Sequence, residues 1–273
     1  MSNHRARKRF GQHFLVDSGV VDRIVGYINP RPDDNLVEIG PGKGAITSLL
    51  AATCNHLHII EIDRDLVTIL RQQFTGGDQK TSNVTVHQAD ALTVDFSSFA
   101  NKESARIVGN LPYNISTPLI FHLLTFHQRI RDMYFMLQNE VVDRLAAQPG
   151  EKMYGRLSVM VQYYCQIDKL FEVPPSCFSP QPKVNSAIVR LTPYKMPPYV
   201  ATNLEHFSRL VNCVFQQRRK TLHNALKPMI NSELTAVSTS LLPVNTRLRP
   251  ENLSVSDYVM LSNFLLSEKA SIC

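Results

Sequence analysis

The residues best suited to chemistry are the tetrapeptide Asn110-Leu111-Pro112-Tyr113. The Asn110 side-chain oxygen and the Leu111 carbonyl are hydrogen-bond acceptors, and Pro112 stiffens the turn so that both can face one point. Tyr113 offers a flat face on which a nucleobase can stack. An adenine amine is a weak nucleophile because its lone pair is delocalised into the ring, and accepting both of its hydrogens favours the tetrahedral geometry. The pattern predicts methyl transfer by positioning, without a strong base and without a nucleophilic role for Asn110.

A second aromatic residue, Phe178, lies in the proline-rich segment 174–184. Prolines stiffen this loop, so Phe178 is predicted to close over a base that stacks on Tyr113. A base held between two rings must be single-stranded or flipped out of its helix.

The glycine-rich run VEIGPGKG at residues 37–44 predicts a nucleotide-type binding turn. Gly40 and Gly42 let the chain turn tightly and let a ligand approach the backbone at a helix N-terminus. With Ala45 in the sixth position, the run also fits the dinucleotide pattern of nicotinamide-dependent oxidoreductases. The run alone leaves both classes of ligand open.

Two carboxylates follow at the ends of the next predicted strands. Glu61 lies 21 residues after Gly40, where a carboxylate can accept both hydroxyls of a ribose. Asp90 lies at the end of the third predicted strand and is placed to accept a hydrogen bond from an adenine amine. Nicotinamide enzymes have no comparable requirement at that position, so Asp90 favours S-adenosylmethionine.

These residues need a parallel sheet whose strand ends meet at one edge. Short β-branched runs alternate with helical patterns, which indicates an α/β, Rossmann-like doubly wound fold. Strands are predicted at 36–40, 57–63, 84–90, 106–109, 133–138, 166–173 and 187–191. Helices are predicted at 18–28, 45–52, 65–73, 118–126, 141–147 and 156–164. A loop, 174–182, separates the last two strands, so we expect them to form an antiparallel hairpin at one edge.

The character of the chain changes after a proline linker at Pro193, Pro197 and Pro198. Helical patterns follow at 204–216, 219–229, 233–240 and 255–266. We therefore predict two domains, a cofactor-binding domain over 1–196 with a basic N-terminal arm, and a small all-α domain over 197–273.

The charge is basic overall, with a net charge of +6 and a pI near 9.1. A basic run is often only a solvated surface, but two such runs accompany a nucleotide-type site here. The candidates for RNA contact are Arg7, Lys8, Arg9, Arg218, Arg219 and Lys220.

Other classes are disfavoured by composition. The five cysteines are scattered without the spacing of a disulfide framework or a zinc site, so no metal is expected. The basic start runs into Phe10 without an apolar signal core, and no stretch reaches the ~20 apolar residues of a membrane span. We expect a cytoplasmic, monomeric protein.

The chain resembles the small-subunit ribosomal RNA adenine N6-dimethyltransferases of the bacterial KsgA type. The resemblance runs nearly end to end and covers residues 8–15, 37–44, 110–118, 154–159, 174–186 and 215–221. Relatives that act on large-subunit RNA share the 110–113 motif, whereas segments 154–159 and 218–220 resemble the small-subunit branch.

The resemblance implies a seven-stranded class I methyltransferase sheet and a helical C-terminal domain. Its implied substrate is a pair of adjacent adenines in a hairpin loop near the 3′ end of 16S rRNA, each dimethylated in an immature small subunit. The resemblance assigns Leu15, Gly40, Glu61, Asp90 and Asn110 to the cofactor. It assigns the target base to Asn110, Leu111, Tyr113 and Phe178.

One position departs from the family pattern, because His13 stands where many members have Asn. An imidazole can still donate to a cofactor carboxylate, so His13 is included among the cofactor-binding candidates. The alternatives are a binding factor that checks small-subunit assembly, an oxidoreductase, and an adenine methyltransferase acting on DNA or large-subunit RNA.

Overall fold

The computed structural model describes residues 12–74, 83–100, 104–233 and 242–272. The chain divides into two compact units. The sheet unit comprises Met1–Val142 and Gln166–Pro193, and the helical unit comprises Asp143–Cys165 and Tyr194–Cys273. The chain passes between the two units three times, and the boundary predicted near residue 197 lies close to the third crossing, whereas the predicted first domain included 143–165.

The strands of the sheet unit confirm all seven predicted strands and add two short ones. They are β1 (Phe14–Leu15), β2 (Leu36–Ile39), β3 (Leu57–Glu61), β4 (Val84–Gln88), β5 (Ala105–Asn110), β6 (Ile130–Gln138), β7 (Cys165–Val173), β8 (Phe178–Ser179) and β9 (Ser186–Pro193). The helices along the chain are α1 (Ser18–Ile28), α2 (Ala45–Ala51), α3 (Arg64–Phe74), α4 (Ser116–Leu124), α5 (Asn139–Ala146), α6 (Arg156–Tyr164), α7 (Leu204–Gln216), α8 (Leu222–Glu233) and α9 (Val255–Ile272).

The main sheet has the order β4-β3-β2-β5-β6-β9-β7. The pairs β2–β3, β3–β4, β2–β5 and β5–β6 are parallel, and β6–β9 is antiparallel. The chain adds β3 and β4 on one side of β2 and then adds β5 and β6 on the other side. Because the crossovers are right-handed, this change of direction places helices on both faces of the sheet. The reversal also opens a crevice between the carboxyl ends of β2 and β5. This is the Rossmann-like methyltransferase fold that the sequence predicts.

Burial explains the strand sequences. Every residue of β2 is buried, as are the first five of β5, which is expected of central parallel strands covered on both faces. The helix α1 begins at an N-cap, Asp17, whose side chain accepts a hydrogen bond from the Val20 amide at 2.9 Å. Its buried residues are Val21, Ile24 and Ile28, one face of the helix.

A separate two-stranded sheet joins β1 to β8 in antiparallel register, with Phe14 opposite Ser179 and Leu15 opposite Phe178. Each strand is only two residues long, too short for a period-two pattern to appear in the sequence. This small sheet ties the segment before α1 to the proline-rich loop.

The helical unit is held by aromatic packing between segments distant in sequence. Tyr163 of α6 lies against Phe207 of α7 with ring centroids 4.8 Å apart, and Tyr154 meets the edge of Phe215 at 6.4 Å. The Tyr163 hydroxyl also accepts from the Ala201 amide at 3.2 Å. These contacts explain why 143–165 belongs with the C-terminal helices, which no local pattern indicates.

One helix prediction in this unit needs correction, and another cannot be compared with the structure. The helix predicted over 219–229 begins at Leu222, because residues 217–220 form a turn. Arg218, Arg219 and Lys220 therefore lie on that turn and not on a helix. The helix predicted over 233–240 falls outside the described residues except for Glu233, the last residue of α8.

The described part of the chain contains no helix with the length and apolar character required to cross a membrane.

A buried ionic network anchors the middle of the sheet unit. Arg106 in β5 is only 4% exposed, and its guanidinium donates to Asp132 of β6 at 2.8 Å and to Asp34 before β2 at 2.6 Å. A third hydrogen bond, 2.6 Å long, reaches the Ile28 carbonyl at the end of α1. One cation thus satisfies two buried carboxylates and a helix terminus.

We expect Arg106→Met to lower the free energy of unfolding by about 3–5 kcal/mol, because it leaves the buried Asp132 without a cation and Asp34 with only the half-exposed Arg131. Urea unfolding followed by circular dichroism measures this change. The matched control is Arg131→Ala, since Arg131 contacts the same Asp34 at 3.3 Å with its side chain 49% exposed. Arg131→Ala should lower the free energy of unfolding by less than about 1 kcal/mol. Equal losses in the two variants would contradict the assignment.

Candidate active site

A cleft in the sheet unit lies at the carboxyl ends of β2, β3 and β5, where such sheets bind ligands. The segment from Gln12 to Leu15 forms part of its wall. Ten residues selected from the sequence line this cleft: His13, Leu15, Gly40, Gly42, Glu61, Asp90, Asn110, Leu111, Pro112 and Tyr113. The structure therefore brings the predicted cofactor residues and the predicted adenine motif to one place.

The glycine-rich turn between β2 and α2 is shaped for close approach. Gly40 and Gly42 have φ of +66° and +60°, a conformation that side chains disfavour. A Cβ on Gly42 would also lie 2.9 Å from the Phe14 ring. Both glycines are required by the backbone conformation, as the sequence predicts.

Glu61 ends β3 at the cleft and is 6% exposed. Burial raises its pKa to about 7, although the Asp63 amide donates to its carboxylate at 2.8 Å. The Asp90 carboxylate is oriented by the Leu92 amide, which donates to it at 2.9 Å. Both predicted acids thus face the cleft at successive strand ends.

A third acid, Glu38, was not selected from the sequence. It lines the cleft at 2% exposure and accepts a hydrogen bond from the Thr47 hydroxyl at 2.6 Å. Burial, with a smaller contribution from the nearby Glu61, raises the pKa of Glu38 to about 7, although the Thr47 hydrogen bond opposes the rise. The available signal was a carboxylate inside an otherwise apolar strand.

The Asn110 amide is fixed by the segment before β1. Its Nδ2 donates to the His13 carbonyl oxygen at 2.9 Å. A carbonyl oxygen can only accept, so this bond fixes which side of the amide is nitrogen and keeps Oδ1 as an acceptor. The next residue is anchored as well, since the Leu111 amide donates to the Met136 carbonyl of β6 at 3.2 Å.

Gly109 allows this motif to approach the glycine-rich turn. A Cβ there would lie 2.6 Å from the Ile39 carbonyl oxygen and 2.9 Å from the Leu111 side chain. Any side chain would force the ends of β2 and β5 apart. A glycine inside a strand is a sequence signal for such an approach, although Gly109 is not among the site residues predicted from the sequence.

Tyr113 is held at two points. Its hydroxyl lies 2.8 Å from the Ser186 hydroxyl, and its ring stacks on His13 with centroids 5.7 Å apart and planes 26° apart. Burial raises the pKa of Tyr113, so its side chain is neutral at ordinary pH.

His13 lines the cleft, but its Nδ1 lies 2.8 Å from the Pro180 carbonyl oxygen. Because that oxygen only accepts, Nδ1 must carry the hydrogen, and a neutral ring then has no second N–H. The expected donation from a neutral His13 to a cofactor carboxylate does not fit this arrangement.

Phe178 does not reach the cleft. Its side chain is 3% exposed and belongs to the apolar core of the sheet unit. Its backbone pairs with Leu15 in the β1–β8 sheet, and its ring is sequestered in the core. The expectation that Phe178 closes over the base is therefore corrected to a core role.

The basic candidates have different surroundings. Arg218 is engaged within the helical unit, since its Nε donates to Glu251 at 2.6 Å and its Nη2 donates to the Lys152 carbonyl. Arg219 and Lys220 are exposed. Arg7, Lys8 and Arg9 lie outside the described residues.

The profile of the family described as ribosomal RNA adenine dimethylase matches residues 3–266 of this chain. The chain belongs to the ribosomal RNA adenine dimethylase family.

Several relatives match this dimethylase over nearly its full length. It is 56% identical over 266 residues to ribosomal RNA small subunit methyltransferase A of Saccharophagus degradans, covering 97% of this chain and 96% of that one. It is 51% identical over 263 residues to the protein of the same name from Vibrio cholerae, covering 96% and 94%.

Two solved structures are similar to the dimethylase over most of its length. A dimethyladenosine transferase from Plasmodium falciparum matches with a TM-score of 0.77 and 27% identity, covering 94% of this chain and 98% of that one. The 23S rRNA methyltransferase ErmE matches with a TM-score of 0.70 and 25% identity, covering 92% and 99%.

A methyltransferase of this family uses S-adenosylmethionine, and the cleft of this dimethylase suits that group. The glycines with positive φ let a ligand approach the backbone of the turn closely. The buried carboxylates can accept hydrogen bonds from hydroxyl and amine groups. Among the described residues, no group of three or more His, Cys, Asp or Glu is arranged to hold a metal ion.

We expect Glu38→Gln to change how the stability of the ligand-free dimethylase depends on pH. A carboxyl pKa of about 4.5 rises to about 7 on folding, so folding stability declines as pH rises from 5 to 8. The amide cannot ionise. Between pH 5 and pH 8, the free energy of unfolding of the variant should therefore fall by roughly 2–3 kcal/mol less than that of the wild type. Urea midpoints at pH 5 and pH 8 measure the difference. Parallel pH profiles in both proteins would show that Glu38 is not the group responsible.

Proposed function

We propose that this dimethylase transfers methyl groups to the N6 amines of two adjacent adenines in a hairpin loop near the 3′ end of 16S rRNA. Each adenine receives two methyl groups, within an immature small ribosomal subunit. The observation that carries the proposal is the Asn110 amide, whose orientation is fixed by His13 in the same cleft as the glycine-rich turn. The names of the full-length relatives support the small subunit as substrate.

The cofactor is assigned to residues that line the cleft. S-adenosylmethionine supplies an electrophilic methyl group when bound. Gly40 and Gly42 let the cofactor approach the backbone of the glycine-rich turn. Glu61 is assigned to the ribose hydroxyls of the cofactor, and Asp90 to its adenine amine. Leu15 adds an apolar wall.

The target amine is assigned to the 110–113 motif. Asn110 Oδ1 and the Leu111 carbonyl accept its two hydrogens, while the ring of Tyr113 supports the base. Catalysis then consists of orientation: the nitrogen lone pair is directed at the methyl carbon by neutral acceptors. Transfer would leave S-adenosylhomocysteine as the leaving group, and the positively charged nitrogen then loses a proton to solvent, so no side chain needs to act as a strong base.

The same acceptors explain why the reaction ends at two methyl groups. Unmodified adenine can donate to both acceptors, and the monomethylated amine retains one hydrogen for one of them. The dimethylated amine has no hydrogen left, so neither acceptor can hold it. The product is therefore bound less well than either substrate.

RNA binding is assigned to the helical unit and to the basic N-terminal arm. The exposed Arg219 and Lys220 lie on the turn before α8. A backbone hydrogen bond from the Leu222 amide to the Leu248 carbonyl, 2.7 Å long, brings a second basic segment, with Arg247 and Arg249, beside that turn. Such cations supply phosphate contacts with little sequence information.

We expect Asn110→Ala to lower the rate of dimethyladenosine formation by at least about 100-fold, because it removes one of two acceptors that act together in the transition state. Unmethylated small subunits are incubated with labelled S-adenosylmethionine, and the digested RNA is analysed for mono- and dimethyladenosine. Absence of both products with folded wild-type protein would refute the proposed function.

The matched control is Asn55→Ala, the same substitution at an exposed asparagine that contacts Asp33 at 3.2 Å. It should retain wild-type activity. The Asn110 variant also tests the alternative that the protein acts as an assembly factor by binding. If that alternative is right, Asn110→Ala will support subunit maturation as well as the wild type does.

We expect Arg219→Ala combined with Lys220→Ala to weaken subunit binding and to reduce the slope of log K against log salt by about 1.4–1.8, from two lost phosphate contacts. Binding is measured over a range of salt concentrations, and S-adenosylmethionine affinity should not change. Arg218→Ala is the comparison, since its guanidinium already pairs with Glu251. It should lower thermal stability and leave the slope unchanged. An unchanged slope in the double variant would exclude this turn from the RNA interface.

A further inference from the structure

His13 makes three contacts, which join its own segment to the 110–113 motif and to the proline-rich loop. Its carbonyl oxygen accepts from Asn110, its ring stacks on Tyr113, and its Nδ1 donates to the Pro180 carbonyl at 2.8 Å. The first contact belongs to the backbone, so any residue could make it. The other two belong to the imidazole alone.

The ring of His13 covers one face of Tyr113. The planes are 26° apart with centroids separated by 5.7 Å, which is an offset stacked arrangement. With the hydroxyl bonded to Ser186 at 2.8 Å, Tyr113 is fixed at its tip and on one face. A base that stacks on Tyr113 must then use the opposite face.

The Pro180 contact fixes the imidazole itself. It uses the hydrogen on Nδ1, which holds the ring plane in place against Tyr113. The proline-rich loop that carries Pro180 leads into β9, whose first residue, Ser186, is the partner of the Tyr113 hydroxyl.

We propose that His13 is a positioning residue for the target adenine. Its ring supports the covered face of Tyr113, and Tyr113 in turn holds the base. The inference rests on the proposed function, since it concerns how the base is held during methyl transfer. It assigns the side chain of His13 to the substrate side of the cleft, and it takes its effect on the reaction to pass through Tyr113.

The test compares His13→Ala, His13→Leu and His13→Phe. Two quantities are measured: the single-turnover methylation rate on unmethylated small subunits at saturating S-adenosylmethionine, and the dissociation constant of S-adenosylmethionine. Alanine and leucine remove the flat ring, and each should lower the saturated rate about tenfold, as for a misplaced reacting group. Phenylalanine keeps a ring on Tyr113 and should stay within about threefold of the wild type. In all three, the dissociation constant should change less than about twofold, because the backbone contact to Asn110 remains.

A double-mutant cycle with Tyr113→Ala tests whether the two rings act together. If His13 works through Tyr113, adding His13→Ala to Tyr113→Ala should lower the remaining rate by less than about twofold. Independent, multiplicative losses would overturn the proposal. If His13→Ala does not fold by circular dichroism, the comparison of leucine with phenylalanine decides the same question.

Two further results would also overturn it. One is a weakened S-adenosylmethionine affinity at an unchanged saturated rate, which would make His13 a cofactor contact. The other is a phenylalanine variant as slow as the alanine variant, which would mean that stacking is not what matters. A wild-type protein that forms no methyladenosine refutes the proposed function itself, whereas active wild type with fully active His13→Ala refutes this inference alone.

Discussion

The active site depends on one hydrogen bond, from the Asn110 amide nitrogen to the His13 carbonyl. An amide side chain presents a donor at one end and an acceptor at the other, and the two differ little in shape. Anchoring the nitrogen to an oxygen that only accepts removes that ambiguity. The cleft can then offer an acceptor oxygen to an amine substrate, which donates hydrogen bonds through the hydrogens on its nitrogen.

This bond can form only because the backbone lets three segments converge. Gly109 permits the ends of β2 and β5 to touch, and Gly42 permits Phe14 to lie against the glycine-rich turn. The β1–β8 pairing then holds the segment that carries His13 in place. Rigid strands and short paired segments are suited to a reaction that relies on orientation, since small displacements of the reacting atoms are costly.

Charge is distributed differently in the two units. In the sheet unit, the cleft carries buried carboxylates, Glu38 and Glu61, whose pKa values burial raises to about 7. In the helical unit, the cations Arg219 and Lys220 are exposed on a turn, whereas Arg218 is used to hold that turn to Glu251 and to the Lys152 carbonyl. Neighbouring cations in one sequence run therefore divide between structural and surface roles.

The sequence by itself determined the architecture and most of the cleft. Buried β-branched runs and the glycine-rich turn encode local structure directly, so the seven strands, the cofactor candidates and the 110–113 motif could be predicted from patterns within short windows. The family resemblance added the expected substrate. None of these conclusions needed knowledge of which distant segments touch.

Only the tertiary structure decided the roles that depend on distant partners. Phe178 is a core residue because β8 pairs with β1, and segment 143–165 joins the C-terminal helices through aromatic packing. Arg218 is an ion-pair partner and not a free cation, and the His13 ring faces Tyr113 and Pro180. In each case the residue type allowed two roles, and the choice was made by a contact between residues far apart in the chain, which composition and spacing do not encode.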